Sequence, residues 1–227
     1  HDIEQFEYLV SHGYEVEKFT NLANIYKKLA LEIIWESETK LTILSEKYKN
    51  FLMSNYNLLL HQVDLPVLEN EVVNNQLNVE EITNKYYDHE FGLTFIDNFL
   101  SLQALESLRK FLLGSTIWFD VKRGGYLGAY LKEGLANPLI IQIAEELRTK
   151  FPKIFKDHPI NQIWAFKYDS GSKNKHSSLS GIKVHADFAA INVNFWITPN
   201  EANLNPDSGG LIVYDVEAPR DWDFNTY

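Results

Sequence analysis

The spacing of apolar residues changes along the chain, and each change predicts a different element. Through about residue 63 the period is helical: Phe19, Leu22, Ile25, Tyr26, Leu29 and Ile33 recur every three or four positions and share one face. Leu41, Leu44, Tyr48, Phe51 and Leu52 repeat that pattern, and a shorter helix is predicted over 3–11. It stops near Gly13, a residue suited to a C-terminal cap because it tolerates positive φ. Three amphipathic helices in a row predict a small bundle, the end of a helical repeat array, or helices that simply pack against the rest of the chain. Residues 64–91 are polar and rich in Asn around Pro66, and read as a linker with one helix at 79–87.

From Gly92 onward short segments dominate. Residues 92–97 read as a strand. Ser101 caps a helix whose Leu102, Leu105, Leu108, Phe111 and Leu112 lie on one face. Gly124-Gly125 forms a turn into a strand that ends at Tyr130, and Asn137-Pro138 opens a helix running to about Lys150, with proline in its first turn. The segments 162–168, 182–187, 190–198 and 211–215 are short and rich in β-formers. Helices followed by such a run predict an α+β fold, a β-sandwich or barrel with helices packed outside. The expected organisation is a helical segment over 1–63, a linker over 64–91 and a β-rich domain over 92–227.

Composition narrows the function classes. The chain has 227 residues, 45% of them apolar, enough to bury a core for one domain and an appendage. Cysteine is absent, which excludes disulfide frameworks, zinc–thiolate modules and thiol catalysis. That fits a reducing compartment such as the cytoplasm, although a cysteine-free chain is also compatible with export. A net charge of −10 argues against nucleic acid as partner, because the longest basic feature is Lys122-Arg123. No apolar run is long enough to span a bilayer, and the first residues do not read as a signal peptide, so no membrane is expected.

The candidate chemistry is concentrated in Val184-His185-Ala186-Asp187. On a strand, side chains at i and i+2 share a face, so one imidazole nitrogen and one carboxylate oxygen can converge on a point. Two such ligands are two corners of the facial triad of non-haem Fe(II) oxygenases. The spacing alone is common enough to arise by chance, and a surface histidine beside a turn aspartate is the plain alternative. The next segment has Ile191, Val193, Phe195 and Ile197 on one face and Asn192, Asn194, Trp196 and Thr198 on the other. The second face carries no charge, so it reads either as the wall of a polar cavity or as a solvated or partner-covered sheet face. Gly209-Gly210 permits a tight turn before 211–215. Upstream, Trp164, Phe166 and Tyr168 alternate on one face with Lys167 on the other, and Tyr168 is suited to donate a hydrogen bond to a carboxylate. Residues 171–180, with His176, read as a loop that is either a lid or a passive insertion.

Taken together these motifs have a family likeness. Lys167-Tyr168-Asp169-Ser170, Gly181-Ile-Lys-Val-His185-Ala-Asp187-Phe188, Asn192-Val-Asn-Phe-Trp-Ile-Thr-Pro199 and Ser208-Gly-Gly-Leu-Ile-Val-Tyr214 resemble 2-oxoglutarate- and Fe(II)-dependent oxygenases. More narrowly, the chain is similar to a microbial group in which that domain follows tetratricopeptide-type helices. Ser115-Thr-Ile-Trp-Phe-Asp120, Gly124-Gly-Tyr-Leu-Gly-Ala129 and Gln142-Ile-Ala-Glu-Glu-Leu147 extend the likeness over residues 92–227. The resemblance implies a double-stranded β-helix, or jelly roll, with flanking helices. It implies that His185 and Asp187 bind Fe(II), and that 2-oxoglutarate is the co-substrate, with Tyr168, Asn192, Asn194 and Trp196 as the candidate residues to hold it. Halogenating relatives replace the carboxylate by a small residue, so retention of Asp187 points to hydroxylation.

Two family features have no counterpart here. A second metal histidine and a basic residue, usually Arg, follow later in the family, whereas no histidine follows Asp187, and Arg220 stands in a loop-like Ala218-Pro219-Arg220-Asp221. His61, His89, His158 and His176 lie on no convincing neighbouring strand. The jelly roll is therefore expected to be incomplete at its C-terminus, and this chain alone to be feebly active or inactive. The substrate class stays open between a peptide or protein and a sugar or small polar metabolite. A non-catalytic jelly-roll and helical-repeat binding module is the alternative, and a cupin-like metalloenzyme that does not use 2-oxoglutarate is a third reading.

Overall fold

The computed structural model describes residues 1–34, 42–122, 126–168, 184–203, 210–216 and 219–223. The fold is mixed: seven α-helices and one open, three-stranded antiparallel sheet among the described residues. Two compact units divide the chain. The first takes residues 1–65, 110–137 and 164–168, and the second takes 66–109, 138–163 and 169–227.

In the first unit, α1 (Asp2–Ser11) and α2 (Val16–Glu32) pack through the stripe their sequences predict. Phe6, Leu9, Phe19, Leu22, Ala23 and Tyr26 are buried together, with Phe6 stacked on Phe19 at 5.7 Å and edge-on to Tyr26 at 5.2 Å. Gly13, at φ +79°, turns the chain after α1, and the Tyr14 N–H returns to the Leu9 carbonyl at 3.0 Å. The predicted third helix is α3 (Glu46–Leu52), which takes Tyr48, Phe51 and Leu52 but not Leu44; Leu41 lies outside the described residues.

Residues 60–63 are held by 115 and 116 through side-chain oxygens. Thr116 Oγ1 accepts the N–H groups of Leu60 and His61 at 2.8 and 3.0 Å, and Ser115 Oγ accepts that of Val63 at 3.0 Å. Both residues are buried, so hydroxyls stand in for the missing rungs of a ladder. The sheet comes next. Strands β1 (Asp120–Lys122), β2 (Tyr126–Tyr130) and β3 (Trp164–Tyr168) lie in that order, with Tyr126 opposite both Lys122 and Tyr168. The strand predicted to enter from a glycine turn is β2; Gly124 and Gly125 lie outside the described residues.

The second unit contains α4 (Val79–Asp88), α6 (Pro138–Lys150) and the single turn α7 (Pro152–Phe155), together with residues 102–109 of α5 (Leu102–Gly114). Asn78 caps α4 by accepting the Glu81 N–H at 3.1 Å, and Pro138 opens α6 as the sequence predicts. Leu147, Phe151 and Ile154 form the core, with Val79, Ile82, Tyr86, Ile96 and Phe99 packed against it. Val72 and Val73 are completely buried although they lie in the stretch whose composition reads as a linker. Val73 forms an isolated antiparallel bridge with Leu100.

Several expected strands are not formed. Residues 92–97 have no strand: Gly92 at φ +63° and Asn98 at φ +52° bend the chain at either side, and Ile96 turns into the core. Residues 184–187, 190–198 and 211–215 likewise carry none, and residues 182 and 183 lie outside the described residues. A strand exists only through the ladder it shares with a neighbour, and the described backbone of these segments takes part in none. The fold shown is thus an α+β arrangement with a small open sheet. Among the described residues no helix is long and apolar enough to cross a membrane.

Candidate functional site

His185 and Asp187 lie in the second unit, in a segment without regular structure. The Ala189 N–H donates to the Asp187 carbonyl at 2.8 Å, a tight turn directly after the pair. Convergence therefore comes from local chain folding and not from a pleat. His185 Nε2 and Asp187 Oδ1 stand 3.7 Å apart, with side chains 50% and 37% exposed.

Whether these atoms fit a metal can be judged from distance. Two N and O ligands about 2.1 Å from one first-row ion, at a right angle, lie roughly 3.0 Å from each other. A small rotation about either side-chain bond closes the gap from 3.7 Å. The pair fits two adjacent corners of a metal site. Among the described residues no group of three His, Cys, Asp or Glu could hold an ion. The same separation also suits an imidazolium beside a carboxylate, a partly solvated ion pair.

The next segment keeps only part of the alternation its sequence predicts, since Val193 and Phe195 are exposed along with the polar residues. Ile191 packs on the Leu147, Phe151 and Ile154 core, and Phe195 meets Phe99 edge-on at 5.5 Å. The Ile197 carbonyl accepts from Arg109 Nε at 2.5 Å. These three attachments fix one side of the segment. Asn192, Asn194 and Trp196 are exposed, Trp196 at 65%, so the row faces solvent and is not enclosed as the wall of a cavity would be.

Tyr168 belongs to the first unit, at the end of β3. Its ring stacks on Tyr126 at 5.2 Å, and Tyr126 stands edge-on to Phe166 at 5.3 Å. Burial, and then the neighbouring Tyr126, raise the Tyr168 phenol above its ordinary range, so it is a hydrogen-bond donor at all moderate pH. Lys167 points to the opposite face, as alternation requires, with its Nζ 5.8 Å over the Trp118 ring. Burial lowers its pKa, a shift that Glu4 partly opposes.

Within the second unit the structure thus brings His185 to Asp187, and sets Asn192, Asn194 and Trp196 along one exposed row. The 171–180 loop with His176, and Gly209, lie outside the described residues. His61 is in the first unit, where Tyr14 packs on its ring at 4.6 Å and its Nδ1 stands 3.7 Å from a Glu15 oxygen. Arg109 was invisible to sequence reading. It lies between Leu108 and Lys110 on an ordinary amphipathic helix, and nothing there signals a tether to a carbonyl 88 residues away. Comparison of the chain with protein-family models, with curated proteins and with solved structures finds no match.

Proposed function

We propose that this chain carries the metal-binding part of an Fe(II)- and 2-oxoglutarate-dependent oxygenase, a hydroxylase acting on a peptide, protein or small polar metabolite. The observation that carries this reading is the convergence of His185 Nε2 and Asp187 Oδ1 to 3.7 Å, immediately before an exposed row of two amides and an indole. His185 in its neutral form offers a nitrogen lone pair, and Asp187 offers an anionic oxygen, the donor types that suit Fe(II). Bound iron and co-substrate would supply oxygen activation, coupled to decarboxylation of 2-oxoglutarate. Asn192 and Asn194 each present a donor and an acceptor for orienting a polar ligand, and Trp196 adds an apolar surface with one N–H donor. The complete jelly roll, with a third ligand on a further strand, belongs to this proposal.

The test is anaerobic titration of the full-length protein with Fe(II) and 2-oxoglutarate. A visible charge-transfer band is expected, and replacing His185 or Asp187 by Ala should abolish it. Metal bound without that band, or a band indifferent to both substitutions, overturns the reading. Succinate release coupled to oxygen use separates it from a metalloenzyme that does not consume 2-oxoglutarate.

One observation favours a second reading, a non-catalytic binding module. The pair and the Asn–Trp row are open to solvent, which suits a contact surface better than oxidative chemistry. Under this reading, ligand binding is indifferent to Fe(II) and survives His185→Ala.

A further inference from the structure

We draw no further inference here: the strongest candidate, the aromatic face of the sheet on which Tyr126 stacks on Tyr168 and stands edge-on to Phe166, is an unpartnered sheet face, and nothing in the structure shows what covers it.

Discussion

The Glu146 carboxylate caps the backbone of Val72: its Oε2 accepts the Val72 N–H at 2.8 Å and the Val73 N–H at 2.9 Å. Both valines are fully buried, so without Glu146 two backbone donors would be left in an apolar setting. Gln142, one turn earlier on α6, clamps Leu68 in the same way, accepting its N–H at 3.0 Å and donating to its carbonyl at 3.1 Å.

Replacement of Glu146 by Ala should cost about 1–3 kcal/mol of unfolding free energy, the usual cost of stranding buried donors. Glu146→Gln keeps an acceptor and should cost less than half as much. Urea unfolding of the two variants checks this; equal losses would mean that charge, and not the hydrogen bonds, matters.

In the first unit Thr116 does comparable work through a hydroxyl. Thr116→Val keeps the shape but leaves the Leu60 and His61 N–H groups without their acceptor. A loss of roughly 1–2 kcal/mol is expected, with Thr116→Ser close to wild type. Thermal unfolding that ranks Ser and Val together would contradict the assignment.

Lys167 predicts a pH dependence. Its folded-state pKa lies below that of the unfolded chain because burial disfavours the ammonium. Between the two values the unfolded state binds more protons, so this residue makes stability rise with pH. The window is alkaline, ending near the ordinary lysine value of about 10.4. Lys167→Met should remove that rise in denaturation measured from neutral to alkaline pH. If the rise persists unchanged, it comes from another group.

The exposed row beside His185 makes the opposite kind of prediction. Asn192→Ala, Asn194→Ala and Trp196→Ala should each leave stability within about 0.5 kcal/mol, since none of these side chains is buried. Phe99→Ala, which removes a partly buried ring beside Phe195 and Phe151, should cost more than any of these, roughly 1–3 kcal/mol. Denaturant midpoints for the four variants distinguish a solvent-facing row from a packed one.

Local physics made much of the helical part legible. The 3–11 and 79–87 helices appear as Asp2–Ser11 and Val79–Asp88, and the Pro138 start is where the sequence places it. Each depends on contacts within a few residues: an apolar stripe, an Asn cap, a proline that needs no partner for its missing N–H. The predicted apolar face of Ile191, Val193, Phe195 and Ile197 is kept only in part: Ile191 packs on the core and Phe195 meets Phe99, but Val193 and Phe195 are exposed. Strand positions were less legible. Of the segments read as strands, those ending at Tyr130 and Tyr168 find partners in the sheet, whereas 92–97 and the described parts of the segments after 180 do not.

Sequence alone therefore determined which residues prefer helix, which side of 191–197 is apolar, and that His185 and Asp187 are close enough in the chain to converge. Only tertiary structure decided that residues 110–137 and 164–168 join 1–65 in one unit, that Val72 and Val73 are buried under Glu146, and that Arg109 is tied to Ile197. The last two of these rest on hydrogen bonds between residues 74 and 88 positions apart. A backbone donor or a guanidinium carries no mark of its distant acceptor, whereas a helix closes its bonds within its own turn.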